Sequence, residues 1–169
     1  MIPETNTIDL NAFTIDELIE KGKIEIIDLE QMYIDAVETA FDLDSIRNSG
    51  LHFAYDAMYG SGQDVMKRLF PQMTFLHCDH NPSFNGQAPE PIAKNLVEFS
   101  ELIKSKGNIA AGLATDGDAD RIGLYNSKGE FVDSHHIILL LLKYLHKYKG
   151  MNGKVVVAAS TTQIGRAHV

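Results

Sequence analysis

Apolar and polar positions along this chain follow two periods, and the periods alternate. Leu29, Met32, Tyr33, Ala36, Val37 and Ala40 recur at helical spacing, which predicts a helix from Leu29 with that stripe in a core. Before it, Thr14-Ile-Asp-Glu17 has the form of a capping box for a short helix that Gly22 stops, and Lys23 to Ile27 reads as a strand. Leu51-His-Phe-Ala-Tyr55 is a strand pattern ending at Asp56. The glycine-containing turn Asp56-Ala-Met-Tyr-Gly60-Ser-Gly62 then leads into a helix through Phe70. Met73 to His77 is the next strand, followed by a Pro/Asn/Gly-rich loop over 79–91. Pro91 suits the first turn of a helix with Ile92, Leu96, Phe99, Leu102 and Ile103 on its buried face and Gly107 at its end.

Asn108 to Ala114 and Ile122 to Tyr125 are apolar runs of strand length, and Asn126-Ser-Lys-Gly129 joins the second to Glu130–Val132 as a hairpin. Asp133 or Ser134 caps a helix to about Tyr148, Met151-Asn-Gly153 turns, and Lys154 to Ala159 is a last strand. Strands alternating with helices from 51 to 159 predict an α/β sheet with helices on both faces.

Between the two apolar runs lies Ala114-Thr-Asp116-Gly-Asp118-Ala-Asp120-Arg121. A tight loop lets its three carboxylates converge. Two carboxylates about 4 Å apart repel by roughly 4 kcal/mol at an effective dielectric near 20. A hard divalent cation with oxygen ligands removes that cost, and the small Gly117 and Ala119 let the backbone fold closely round an ion. The loop falls at the carboxyl end of a buried-strand pattern, where open α/β sheets place ligands. It is not an EF-hand: counted from Asp116, Arg121 stands where that motif needs its glycine and Ser127 where it needs its glutamate. His77-Cys78-Asp79-His80 has zinc-ligand residue types, but no second ligand pair follows at finger spacing. The turn at Gly60–Gly62 reads as a plain strand-to-helix turn, without the Lys-Ser/Thr of a P-loop.

Composition narrows the functions further. The 169 residues can hold one sizeable domain with a core. A formal net charge of −8 and the lack of a basic stripe argue against nucleic acid as a partner. Cys78 is the one cysteine, so no intrachain disulfide forms and a reducing, cytoplasmic setting fits. No signal-peptide pattern opens the sequence, and its longest apolar run, Ile137 to Leu142, is too short to span a membrane.

At Asp116-Gly-Asp-Ala-Asp-Arg121 the sequence resembles the α-D-phosphohexomutase superfamily, the phosphoglucomutase/phosphomannomutase group. Asp56-Ala-Met-Tyr-Gly-Ser-Gly62 is similar to a turn of that family's second domain, and Asn81-Pro-Ser-Phe with Pro89-Glu-Pro91 to its proline-rich segment. The resemblance implies a three-layer α/β/α mixed sheet. It also implies an isomerase that moves a phosphoryl group between O1 and O6 of a hexose phosphate, through a phosphoserine and a bisphosphate intermediate. By the same resemblance Asp116, Asp118 and Asp120 hold Mg²⁺, and Arg121 is the active-site arginine.

The family's phosphoserine loop reads Ser-His-Asn-Pro. Asp79-His-Asn-Pro82 is similar to it but carries Asp in place of Ser, so it is expected to be a decoy. Residues 1–28 are then the tail of a first domain, 29–150 the metal-binding second domain and 151–162 the first strand of a third. Residues 163–169 look like a non-native tail, because Ile164-Gly-Arg-Ala-His-Val169 reads like a translated sequencing adapter. Such a fragment is expected to be inactive alone. The rival readings are a glycosyltransferase with an Asp-x-Asp metal and a non-catalytic divalent-cation-binding module. The residues do not say which sugar phosphate is used.

Overall fold

Thr14 starts the first helix as a capping box requires. Its hydroxyl accepts the Glu17 N–H at 3.2 Å, and the Glu17 carboxylate accepts the Thr14 N–H at 3.0 Å. The computed structural model describes residues 13–155, and contacts divide the chain into two units, Met1–Phe41 and Asp42–Val169.

In the first unit, α1 (Ile15–Glu20) is followed by α2 (Leu29–Ala40), whose cap Asp28 accepts the Gln31 N–H at 2.9 Å. The strand expected over Lys23–Ile27 does not form. Among the described residues its alternation finds no neighbouring strand to pair with, and Ile24, Ile26 and Ile27 stay exposed. The stripe on α2 is not core either: Ile34 is buried, whereas Leu29, Met32 and Tyr33 are exposed.

The second unit opens with α3 (Leu43–Arg47), which the sequence pattern does not reveal because five residues are too few for a helical period. Then come β1 (His52–Asp56), α4 (Gln63–Leu69), β2 (Thr74–Leu76), α5 (Val97–Lys106), β3 (Ile109–Thr115), β4 (Ile122–Asn126), β5 (Phe131–Val132) and α6 (Ser134–Lys147). The strands form one mixed sheet in the order β2-β1-β3-β4-β5. β1 runs parallel to β2 and β3, and the β3–β4 and β4–β5 pairs are antiparallel. The crossovers from β1 to β2 and from β2 to β3 step in opposite directions. Right-handed crossovers therefore put α4 and α5 on opposite faces.

Small residues on the sheet admit large ones from α5. A Cβ on Gly112 would stand 2.6 Å from Ile103 Cδ1 and 2.8 Å from Phe99 Cζ. Ala54 and Tyr125 pair with Gly112 on either side, so they share this face, and the Phe99 and Tyr125 rings meet edge to face at 5.6 Å. Full burial of Phe99, Leu96 and Ile103 contributes on the order of 1.5–3 kcal/mol each. On the other face, a Cβ on Gly62 at the head of α4 would lie 3.0 Å from the Tyr55 hydroxyl, which is 2.7 Å from Thr115 Oγ1.

Two elements differ from the sequence pattern in their bounds, and a third in its exposure. α5 begins at Val97 rather than near Pro91, after a 3-10 turn at Ala93–Asn95. Gln87 and Asn95 side chains bond the carbonyls of Asn95 and Glu90 there, and this holds the segment out of helix. α6 starts at the predicted cap, with Asp133 accepting the His136 N–H at 3.0 Å, but Leu139, Leu140, Leu141 and Tyr144 on it are exposed. Of the last expected strand, Lys154 and Val155 carry no strand pairing, and 156–159 lie outside the described residues. Among the described residues no helix is long and apolar enough to cross a membrane.

Candidate metal centre

β3 ends at Thr115, and the chain turns back into β4 through Asp116–Arg121. The hairpin closes on itself. Asp116 N–H donates to the Arg121 carbonyl at 3.3 Å, and Ala119 N–H donates to the Asp116 carbonyl at 3.2 Å. Ala119 sits in the left-handed region at φ 61°, so the turn is tight enough to strain a residue with a Cβ. Within it Asp116, Asp118 and Asp120 each offer a carboxylate oxygen, and these oxygens lie within 4.8 Å of one another.

The three carboxylates are not equivalent. Asp116 is 1% exposed, whereas Asp118 and Asp120 face solvent. Arg121 N–H donates to Asp116 Oδ1 at 3.0 Å, and Arg121 Nε–H donates to Oδ2 at 2.6 Å. Burial pushes the Asp116 carboxyl up, but these two bonds, together with a hydrogen bond from Asp120 and the charge of Arg121, outweigh it and hold the group below the usual carboxylate range. Asp120 moves the other way, raised by its hydrogen bond with the Asp116 carboxylate and by the charge of Asp118. A divalent cation suits this donor set: it offers only hard oxygens, and an ion that all three contact offsets their mutual repulsion. Arg121 is 58% exposed at its side chain and lies 3.8 Å from both Glu90 and Asp120.

A second loop supports the first. Ser61 N–H donates to the Gly117 carbonyl at 3.0 Å. A Cβ on Gly60 would stand 2.7 Å from the Asp116 carbonyl and from two Gly117 backbone atoms. The turn after β1 is thus more than a route into α4, since it lies directly against the acidic loop. Pro89 does the same from the proline-rich segment, 3.0 Å from where a Gly117 Cβ would be.

The tetrad His77-Cys78-Asp79-His80 does not converge. Cys78 Sγ–H donates to the Leu76 carbonyl, and His77 turns inward to Asp56, with Nδ1 3.1 Å from both carboxylate oxygens. Sequence reasoning missed this pairing and the link from His77 Nε2 to Glu98 at 3.3 Å. Polar residues at the carboxyl ends of two adjacent parallel strands were the available signal, since Asp56 pairs with Leu76 and His77 follows.

The family model for the α/β/α domain II of phosphoglucomutase/phosphomannomutase matches residues 31–129. A phosphopentomutase of Thermococcus kodakarensis is 32% identical over 86% of this chain and 31% of its own length. A cytoplasmic phosphoglucomutase of Populus tremula is 31% identical over 70% of this chain and 23% of its own length. Among solved structures, a candidate phosphomannomutase of Thermus thermophilus superposes with a TM-score of 0.66 at 29% identity, over 76% of this chain and 31% of that one. The chain therefore spans about a third or less of the length of these relatives. The domain II model covers more than half of the chain and includes β1 through β4 with the whole acidic loop; the chain belongs to the phosphoglucomutase/phosphomannomutase family and covers mainly its second domain.

Proposed function

We propose that this chain is the metal-binding part of an intramolecular phosphotransferase, a phosphohexomutase that interconverts hexose 1-phosphate and 6-phosphate. The convergence of three carboxylate oxygens within 4.8 Å at the end of a central strand carries the reading. Asp116, Asp118 and Asp120 are the ligands of Mg²⁺. When bound, the ion neutralises charge on the phosphoryl group in transfer. Asp116 is fixed by two bonds from Arg121, so it presents its remaining lone pairs without searching rotamers. Arg121 commits one guanidinium N–H to Asp116 and keeps others for a phosphate oxygen, which the half-exposed position of its side chain permits.

The phosphoserine and the sugar-binding elements belong to other parts of the enzyme, and a bisphosphate intermediate links the two half-reactions. This chain by itself does not turn over hexose phosphate. The parent enzyme works in the cytoplasm in carbohydrate metabolism, as the name of the Populus tremula relative supports.

Calorimetric titration of the purified chain with Mg²⁺ tests the ligand assignment. Saturable binding that Asp118→Asn abolishes is the expected result. Equal binding by the folded variant would show that the ion sits elsewhere.

A further inference from the structure

Asp56 is the other carboxylate that is 1% exposed, and the proposed phosphotransfer has no use for it. It ends β1 with Oδ1 accepting the Met58 N–H at 2.8 Å. His77 Nδ1 stands 3.1 Å from both Asp56 carboxylate oxygens, so one proton shared across this contact ties the ring to the carboxyl group. His77 Nε2 in turn lies 3.3 Å from Glu98 in the first turn of α5. The pair thus joins the end of β1, the end of β2 and the start of α5.

The backbone around the pair is strained. Met58, Tyr59 and His77 hold φ of 47°, 62° and 46°, and none is glycine. The Tyr59 N–H donates to the His77 carbonyl at 2.9 Å, and the two rings lie 4.7 Å apart. Left-handed backbone at such residues persists only where the surroundings impose it, and it concentrates at functional sites. Here the imposing group is Asp56, which takes the amide of the first strained residue and the ring of the third.

The next residues of the turn lie against the acidic loop. Gly60 N–H closes back on the Ala57 carbonyl at 2.7 Å. That places the Gly60 backbone where a Cβ would come within 2.7 Å of the Asp116 and Gly117 backbone. Ser61 follows with its amide on the Gly117 carbonyl at 3.0 Å and its hydroxyl on the same oxygen at 3.3 Å. An unbroken series of contacts therefore runs from Asp56 and His77 through Met58–Ser61 to the backbone between Asp116 and Asp118. Groups that lie behind metal ligands and fix their orientation set affinity too, and losing one typically costs about 10–100-fold.

We infer that Asp56 and His77 are a positioning pair, which sets the divalent-cation affinity of the Asp116–Asp120 loop by holding the Met58–Ser61 turn against it. The inference rests on the proposed reading of that loop as a cation site. It assigns the pair no contact with ion or substrate. Asp56→Ala removes both acceptors, whereas Asp56→Asn keeps an oxygen for the Met58 amide.

The test uses the full chain, Mg²⁺ calorimetry and amide exchange of Ser61, each run well below the melting temperature of every variant. Asp56→Ala weakens Mg²⁺ binding by about tenfold and speeds Ser61 exchange, while Asp56→Asn stays near the parent on both counts. A merely structural pair would lower the melting temperature and leave affinity and Ser61 exchange unchanged, which overturns the inference. If Asp56→Ala does not fold, His77→Leu decides by the same two readouts. Parent chain that binds no Mg²⁺ sinks the cation site and this inference together. Normal binding by the parent and a folded Asp56→Ala sinks the inference alone.

Discussion

Two aspartates close the carboxyl ends of neighbouring parallel strands, and both are 1% exposed, yet the protein treats them in opposite ways. Asp116, just beyond β3, meets the backbone and guanidinium of Arg121 and is held below the usual carboxylate range. Asp56, the last residue of β1, meets one amide and an imidazole, and burial pushes it above that range. Burial raises both carboxyls, and the direction of the net shift depends on whether the bonds each one accepts outweigh it. The difference also separates two uses. Asp116 has two exposed acidic neighbours converging with it, which is a place for an ion. Asp56 is enclosed by His77 and the Met58 amide, which suits a brace.

The largest effect comes from breaking the contact between the two regions. Gly60→Ala puts a Cβ 2.7 Å from the backbone of the acidic loop, where no flexible side chain can give way. Overpacking of this kind costs about 1–3 kcal/mol. Urea unfolding should show that loss, with weaker Mg²⁺ binding by the fraction that still folds. A variant of full stability and affinity would mean that the loops do not depend on each other.

Next in size is the pH dependence, which sharpens the contrast in sign. Both carboxyls start from an ordinary value of 3.8. Asp116 is lowered, so its contribution is present above the unfolded value and is lost as pH falls through the lower folded one. Asp56 is raised, so the native state keeps a proton that the unfolded chain has released, and stability falls as pH rises from 3.8 through the folded value. Urea midpoints in chelator should follow these two slopes. Asp116→Asn should remove the loss on the acid side, and Asp56→Asn the decline above 3.8. Like slopes for the two variants would erase the distinction.

The smallest effect belongs to Ala119, the one residue of the acidic loop in the left-handed region. Ala119→Gly relieves about 1–2 kcal/mol of strain but gives back about 0.4–1 kcal/mol through a freer unfolded chain. A net gain of about 0.5 kcal/mol should appear in thermal unfolding.

The acidic loop could be read from the sequence because it is local. Its carboxylates are two residues apart, the strand patterns on either side are sharp, and one tight turn brings the groups together. The Asp56–His77 pair could not, because 21 residues separate its members and only the parallel register of β1 and β2 brings them into contact. His77 even pointed elsewhere, since its neighbours Cys78 and His80 imitate a metal cluster that the turn after β2 disperses. Strand patterns held where a neighbouring strand exists and failed at Lys23–Ile27, where none stands among the described residues. Pro91 signalled a helix start that side-chain bonds from Gln87 and Asn95 defer to Val97.

The central claim is that the Asp116–Asp120 loop is the cation site and that the turn after β1 lies against it. Paramagnetic line broadening by Mn²⁺ on isotope-labelled chain tests both parts at once. Trace Mn²⁺ should broaden the amides of Asp116 through Arg121 first and Ser61 with them, and excess Mg²⁺ should restore the lines. Broadening centred on another acidic patch, such as Glu98 and Glu101, with the loop amides untouched, would contradict the account.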